Sequence, residues 1–287
     1  MVFGETLEGI DHLLIGTAQL EEARHGYMRL GFQLTPRGKH IGWGTANYCI
    51  MFPDDYLELL GIVDGQQDTN GLDQFLKQGQ GGLGVAFRGN DLSKTAALLQ
   101  GKGHNVEGLN VLKRILELES GEVMPRFELL RYGAEVTPGI ASFACVHKTP
   151  EIVWQPQWVN HPNGATGIRR VVYVMPDPSE TIDNYAAFFG EDAVIVSDGF
   201  TEIHLPSSSH VIRLITEEDM RRFYPGIEPQ NRVRDCYMAA IHLWCDDIRA
   251  TEAYFDVYRV ACHKEGDQRL RLMEKDACGV VLAFDAR

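Results

Sequence analysis

Apolar and polar positions change period in a regular order along the first part of the chain. An apolar run at residues 9–16, with glycine at both ends, predicts a β-strand. Apolar side chains recur at helical spacing over residues 20–30, with glutamate and arginine between them, so this segment is predicted as an amphipathic helix. Three short apolar runs then predict strands at residues 32–35, 48–52 and 56–60. The predicted order is therefore β-α-β-β-β.

The same order recurs three more times, each time as an apolar run, a helical segment and three strand candidates. The opening runs lie at residues 83–88, 168–175 and 237–244, and the helical segments at residues 91–100, 179–189 and 248–258. Repetition of this kind predicts an α+β protein made of four tandem βαβββ modules. A turn-rich stretch at residues 160–164 separates the second module from the third. We therefore expect two domains, residues 1–160 and residues 165–287, with the second more divergent.

Composition and charge indicate which kinds of binding partner are excluded and which cellular compartment is expected. The 287 residues are 44% hydrophobic and 23% charged, which is typical of a globular protein with a large core. A formal net charge of −13 disfavours nucleic acid and anionic membranes as partners. No apolar run approaches the roughly 18 residues of a membrane span, and the first six residues show no pattern of a secretory signal. Six scattered cysteines without a CxxC pair indicate reduced thiols, so we expect a cytoplasmic protein.

Five segments carry a resemblance to a known family. They read GIDHL at residues 9–13, RGKHIGWGTANY at 37–48, DYLELLG at 55–61, TPEIVW at 149–154 and HPNGA at 161–165. With the repeated β-α-β-β-β order, they resemble the glyoxalase-like branch of the vicinal oxygen chelate superfamily, which includes glyoxalases, bleomycin-resistance proteins and extradiol dioxygenases. The resemblance implies two paired, cup-shaped mixed sheets with helices outside, and a divalent metal ion inside a cup.

The resemblance also implies metal ligands on the first and fourth strands of a module. Because side chains alternate along a strand, His12 and Glu58 each share a face with residues two positions away, and both faces would line the cup. For the third ligand we choose His147, with Glu151 and His161 as alternatives. Such a set suits Zn, Fe, Mn, Ni or Co without choosing among them. The competing interpretation is a hydrogen-bonded core histidine, with Glu58 paired to an arginine.

Candidate substrate-binding residues cluster beside these ligands. Trp43 offers a flat apolar wall and Asn47 offers hydrogen bonds, with Tyr48 and Trp154 as further candidates. Glu58 and His40 are the candidate catalytic residues, because a proton must be moved at the substrate. A glycine-rich hairpin whose side chains satisfy its own turn is the alternative interpretation of residues 39–48.

The second half of the chain departs from the family pattern. Arg169 and Arg170 stand where the third module would place a ligand, so we expect residues 167–287 to have a structural role or to close over the substrate. The predicted function is a glyoxalase-like metalloenzyme, an isomerase or lyase acting on a small oxygenated substrate through a metal Lewis acid. The alternatives are a non-catalytic protein that sequesters a small molecule and a metal-dependent dioxygenase. Related folds often form dimers, so a homodimer remains possible.

Overall fold

The computed structural model describes residues 6–227 and 234–287. The opening residues, on which the prediction about a secretory signal depends, lie mostly outside these ranges. The elements of the first half are β1 (Leu7–Gly16), α1 (Leu20–Arg29), β2 (Gly38–His40), β3 (Thr45–Met51), β4 (Tyr56–Ile62), α2 (Leu72–Lys77), β5 (Gly81–Gly89), α3 (Leu92–Gly101), β6 (Val106–Leu118), β7 (Gly121–Val123), β8 (Arg126–Tyr132), β9 (Ser142–His147) and α4 (Pro150–Val153).

The second half has a similar alternation of strands and helices. Its elements are β10 (Ala165–Val174), α5 (Ile182–Phe189), β11 (Val194–Ser197), β12 (Phe200–His204), β13 (Val211–Ile215), α6 (Glu217–Phe223), β14 (Tyr237–Cys245), α7 (Ile248–Tyr258), β15 (His263–Glu265), β16 (Arg269–Leu272) and β17 (Val281–Ala286). The protein is thus a mixed α+β fold dominated by sheet. No helix in the described parts of the chain is long and apolar enough to cross a membrane.

Most predicted elements are found within a few residues of their expected bounds, but residues 32–35 do not form a strand. Gly31 has a left-handed backbone, with φ of +85°, and turns the chain sharply after α1. The backbone N–H of Gln33 then donates to the Nδ1 atom of His161 rather than to a neighbouring strand. This segment is apolar because Phe32 packs in the core, and the first strand after α1 is the short β2.

The strands of the first half close into a barrel. Strand β1 pairs in parallel with β4, and the pairing continues from β4 to β3 and from β3 to β2. On its other edge β1 pairs with β5, and the pairing continues through β9 and β8 to β6. The three residues of β2 pair with both β3 and β6, so they complete the ring. The inner faces of these strands surround a separate apolar cluster that contains Leu14, Leu116 and Phe127.

The second-half strands form an open sheet that is covered by a helix. The sheet runs in the order β11, β12, β13, β10, β14, β17, β16 and β15. Helix α6 packs on one face through Met220, and Tyr224 follows directly after it against Val172 and Ala240. The opposite face of the same strands carries the main core. Helix α6 therefore departs from the expectation that all helices lie outside the cups.

One core joins the two halves. The largest apolar cluster includes residues of β1 and α1 together with residues of α5, α7 and β17. Phe32 of the first half stacks on Phe284 of the second, with ring centroids 6.0 Å apart. Asp55 accepts hydrogen bonds from the Ile168 backbone N–H at 3.0 Å and from the His210 imidazole at 2.9 Å. The halves are therefore held together by both apolar packing and buried polar contacts.

Candidate functional site

Five polar side chains point into the barrel of the first half. His12 lies on β1, His40 on β2, Asn47 on β3, Glu58 on β4 and Arg114 on β6, and each is less than 7% exposed. All five line one cavity of about 70 Å³. The rest of the lining is largely apolar, as expected from strands that alternate between the barrel interior and the shared core. The barrel thus concentrates charge and hydrogen-bonding groups in an otherwise dry space.

His12 lies between two carboxylates. Its Nδ1 atom is 2.7 Å from Asp11 Oδ1, and its Nε2 atom is 3.3 Å from Glu58 Oε2. Its ring stacks on Tyr56, with centroids 4.4 Å apart and planes 19° apart. The β1–β5 pairing is irregular between Ile10 and His12, so Asp11 departs from the regular alternation and is buried beside His12. The imidazole is therefore held in one orientation.

The charge states of the two carboxylates decide what His12 presents to the cavity. Burial by itself would raise the pKa of Asp11, but the imidazoles of His147 and His12 hold it well below its usual range. Burial also opposes the charge on Glu58, yet His12, His40 and Arg114 lower the pKa of that carboxyl. Both carboxylates are ionised at neutral pH and can only accept hydrogen bonds. Asp11 therefore takes the Nδ1–H of His12, and Nε2 and Glu58 Oε2 face each other across a gap that needs a proton or a cation.

Glu58 is fixed by further contacts on its other oxygen. Asn47 Nδ2 donates a hydrogen bond to Glu58 Oε1 at 2.5 Å, and His40 Nε2 lies 3.8 Å from the same atom. Burial lowers the pKa of His40 to about 4, so its ring is uncharged at neutral pH. Within the described ranges no arginine lies within 4.0 Å of Glu58. The partners of Glu58 are therefore two imidazoles and an amide, not the arginine of the alternative interpretation.

Arg114 is fully buried and only partly paired. Its Nη1 atom donates to Cys49 Sγ at 3.2 Å, and its guanidinium lies 5.2 Å from the centroid of the Phe127 ring. Its Nε and Nη2 atoms have no hydrogen-bond partner in the described parts of the chain. Burial opposes the charge, but nearby Cys49, Tyr56 and Glu58 raise the pKa of the guanidinium above its ordinary value. The cavity thus holds a fixed positive charge with unused donors.

His147 lies on the far side of Asp11 from His12. Its Nε2 atom is 3.1 Å from Asp11 Oδ1, and its Nδ1 atom is buried without a hydrogen-bond partner in the residues described. In the described parts of the chain, the three-donor group whose ligand atoms lie within 4.8 Å of one another is Asp11, Cys145 and His147. The structure therefore brings His12 and Glu58 together, whereas it groups His147 with Asp11 and Cys145.

The predicted substrate-binding residues divide between the cavity and other surfaces. Trp43 and Asn47 line the cavity, as does His40. Tyr48 points to the opposite face of β3, because neighbouring side chains on a strand alternate and Asn47 points inward. The Tyr48 hydroxyl donates to Glu21 at 2.7 Å. Trp154 lies outside this cavity, packs against His147 and donates to the Phe52 carbonyl at 2.9 Å. Neither side chain lines the space beside Glu58.

The two alternative ligands have other surroundings. His161 accepts a hydrogen bond from the Gln33 N–H at 3.0 Å through Nδ1, and Nε2 donates to the Met51 carbonyl at 2.9 Å. Both of its nitrogens are used, so it holds loops together. Glu151 is exposed in the first turn of α4. Neither residue lines the cavity that holds His12 and Glu58.

The second half contains a buried histidine that makes a useful contrast. His242 Nδ1 lies 2.9 Å from Asp285, much as His12 lies against Asp11, but its Nε2 faces the Tyr224 hydroxyl at 2.7 Å. Arg169 pairs with Asp285 at 2.5 Å, and Arg170 pairs with Glu202 at 3.0 Å. In this half both of these buried carboxylates are thus paired with arginine.

Two residues of the site were missed from the sequence. Arg114 is flanked by Leu112 and Leu116, two positions away on either side, and a charged residue between inward-facing leucines of a strand is the signal that could have found it. Asp11 gave no such signal. In regular alternation it would face away from His12, and only the irregular pairing of β1 with β5 brings the two together.

Comparisons with known proteins place the fold. A family model described as a glyoxalase-like domain matches residues 10–189. A hypothetical protein from Staphylococcus aureus, 15% identical, has a TM-score of 0.68 over 97% of this chain and 99% of its own. A variant of 4-hydroxymandelate synthase from Streptomyces coelicolor, 9% identical, has a TM-score of 0.63 over 98% and 93%.

A fusion of a xylose isomerase-like TIM barrel with 4-hydroxyphenylpyruvate dioxygenase, 12% identical, has a TM-score of 0.55 over 98% of this chain and 49% of its own. Similarity at these identities concerns the fold alone. No curated protein matches the sequence. Because the family model covers more than half of the residues, the chain belongs to the glyoxalase-like domain family, within the vicinal oxygen chelate superfamily.

Proposed function

We propose that this protein is a metal-dependent enzyme whose ion is held by His12 and Glu58 in the first-half cavity. The observation that carries the proposal is the orientation of His12. Asp11 holds the imidazole through Nδ1, so Nε2 faces the ionised Glu58 carboxylate at 3.3 Å. A carboxylate that orients a ligating histidine in this way is a recurrent feature of protein metal sites. Imidazole and carboxylate together suit Zn, Fe, Mn, Ni or Co.

We propose that His40, not His147, is the further imidazole beside the ion, and that it acts there as a base rather than as a ligand. His40 is uncharged and its Nε2 lies 3.8 Å from Glu58 Oε1, whereas His147 is paired with Asp11. The Asp11, Cys145 and His147 group is a weaker candidate, because burial raises the pKa of the Cys145 thiol well above its ordinary value. A metal ligand must be a thiolate, so this group would have to ionise a fully buried sulfur.

The proposed reaction is of the isomerase or lyase type on a small oxygenated molecule. A bound divalent ion would supply Lewis-acid stabilisation of a developing oxyanion. Asp11 keeps His12 oriented, and Asn47 holds the Glu58 carboxylate through its amide N–H. His40, uncharged and inside the cavity, is the group available to accept a proton from the substrate. Trp43 forms the wall beside His40, with ring centroids 5.7 Å apart.

A protein that only sequesters a ligand would rely on an aromatic cup. Of the tryptophan and tyrosine side chains in the first half, Trp43 and Tyr56 line the cavity, whereas Tyr48 and Trp154 do not. Buried ionisable groups such as Glu58 and Arg114 are typical of catalytic sites, whereas a protein that only binds an apolar ligand does not need them.

We also propose the finer organisation of the fold as four modules in two domains, residues 1–160 and 165–287. A parallel pair recurs between the first and last strand of each round, in β1–β4, β5–β9, β10–β13 and β14–β17. This recurrence supports four repeated units, two of which would form the closed barrel.

Elemental analysis of the purified protein tests the metal site. We expect about one equivalent of a divalent ion in the wild type and a loss of that ion in both His12→Gln and Glu58→Gln. His242→Gln is the matched control, because it alters an equally buried histidine with a carboxylate partner and should keep the ion. If both cavity variants keep the metal while Cys145→Ser loses it, the ion belongs to the other donor group and the proposal fails.

A further inference from the structure

Arg114 lines the cavity, and two of its guanidinium nitrogens are buried without a partner among the described residues. Its Nη1 atom is bonded to Cys49, whereas Nε and Nη2 have no partner among the described residues. Nε and Nη2 lie side by side, so their N–H groups form the parallel fork that matches the two oxygens of a carboxylate. Arg114 is only 2% exposed, and the Nε and Nη2 atoms are themselves buried.

A buried cation with free donors is costly unless something pairs with it. An unpaired buried polar group destabilises a protein by about 1–3 kcal/mol, and a charged group by more. Glu58 lowers this penalty at a distance but lies beyond the 4.0 Å of an ion pair. Close packing around Arg114 fixes its position, because a methyl group at Gly38 would lie 3.0 Å from Arg114 Cδ and 2.2 Å from Asn47 Oδ1. The guanidinium is therefore held in place rather than free to turn away.

The surroundings indicate what kind of molecule carries the complementary charge. Most of the lining near Arg114 is apolar, including Leu112, Phe127 and Leu129. The cavity continues into a neighbouring surface groove through residues that both share, among them Trp43 and Arg131. Arg131 lies over the Trp43 ring at 5.7 Å and adds a second positive charge at this junction. The site offers an anion anchor inside and apolar surface leading outward.

We propose that the cavity binds the carboxylate end of a small organic acid, whose oxygens accept hydrogen bonds from Nε and Nη2 of Arg114 and whose apolar body extends past Trp43 into the adjoining groove. This inference names the substrate class and rests on the proposed function for the reaction, but binding at Arg114 does not require the metal ion. A free phosphate would also pair with a guanidinium. The apolar lining favours an organic carboxylate, because such a ligand brings an apolar body to cover that lining.

Binding of benzoate to metal-free protein, prepared with a chelator, tests the inference. We expect benzoate to bind and to raise the melting temperature of the wild type, because a ligand that binds only the folded state stabilises it. Benzamide, which has a similar shape and no charge, should bind at least about tenfold more weakly. Inorganic phosphate should give no comparable stabilisation.

Two variants separate a binding role from a structural one. Arg114→Met should lose at least about tenfold in benzoate affinity, yet be as stable as the wild type without ligand, since a buried unpaired charge is removed. Arg114→Lys should bind weakly because it keeps the charge but not the fork. Arg126→Met, which removes an exposed arginine from β8, should bind as the wild type does.

Three outcomes would overturn the inference. They are equal binding of benzoate and benzamide, undiminished benzoate binding in Arg114→Met, or stabilisation by phosphate alone. If Arg114→Met does not fold, the comparison of benzoate with benzamide on the wild type and on Arg114→Lys still decides. Because the metal is removed beforehand, failure of the metal site would leave the carboxylate result unchanged, and the reverse also holds.

Discussion

At the scale of single residues, the buried histidines differ in what their two nitrogens meet. His161 lies between a backbone N–H and a carbonyl, His210 between a backbone N–H and Asp55, and His242 between Tyr224 and Asp285. His12 alone of these four lies between two carboxylates. The sequence shows a histidine in an apolar strand but not these partners. Most of them are distant in the chain, and Asp11, although adjacent to His12, meets it only through the irregular pairing of β1 with β5.

His161 makes folding stability depend on pH. Burial lowers its folded pKa to about 4, below the ordinary value of 6.5, and protonation of Nδ1 would break its bond with the Gln33 N–H. The unfolded chain therefore binds more protons below pH 6.5, so the stabilisation is complete above that pH and is lost as the pH falls toward 4.

Urea unfolding at several pH values between 7 and 4.5 measures this effect. We expect His161→Gln to be less stable at pH 7, with a stability that falls less steeply with acid, by up to about 1.4 kcal/mol per pH unit. Parallel curves for the two proteins would show that His161 does not titrate as described.

At the scale of elements, the local pattern predicts strands well and long-range closure poorly. The predicted strands at residues 9–16 and 56–60 are confirmed, because their side chains alternate or are apolar on both faces. The barrel, however, closes through β2, which has three residues and pairs with β6 more than seventy positions later. So short a strand carries almost no periodic signal. Its partner is set by the curvature of the whole sheet.

Helix α6 has only seven residues, yet it covers one face of the second-half sheet. Met220 is 2% exposed and packs with Tyr224 on the second-half strands. We expect Met220→Ala to destabilise the protein by about 2–4 kcal/mol, as for other large-to-small changes in a core. The first-half cavity should keep its metal, because α6 does not contribute to its lining.

Thermal unfolding and elemental analysis of Met220→Ala check both parts of this prediction. Arg221→Ala, an exposed change in the same helix, serves as the control and should alter stability by no more than about 0.5 kcal/mol. If the folded Met220→Ala variant loses the metal, the prediction that α6 does not affect the first-half cavity is wrong.

At the scale of the whole molecule, repetition in the sequence predicted the general architecture. The recurring pattern indicated α+β, and the glyoxalase-like resemblance is confirmed by the family match over residues 10–189. The pattern did not reveal that the two halves share one core. A buried apolar residue has the same sequence pattern whether it packs against its own half or against the other half. Nor did it reveal Asp55, which bonds to Ile168 and His210 of the other half.

A substitution of Asp55 tests the contact between the two halves. Asp55→Ala removes the acceptor of two buried donors, so we expect a loss of stability of about 3 kcal/mol. Asp54→Ala, which changes the exposed neighbour, should be nearly neutral. Because the core is shared, urea unfolding of the wild type should show one transition; two well-separated transitions would show that the halves unfold independently.

A crystal structure of the protein grown with Mn²⁺ or Co²⁺ tests most directly whether an ion binds between His12 and Glu58. The anomalous difference map should show a peak in the first-half cavity, about 2.0–2.3 Å from His12 Nε2 and from a Glu58 oxygen. A peak beside Cys145 and His147 instead, or no peak in the cavity at saturating metal, would contradict the account.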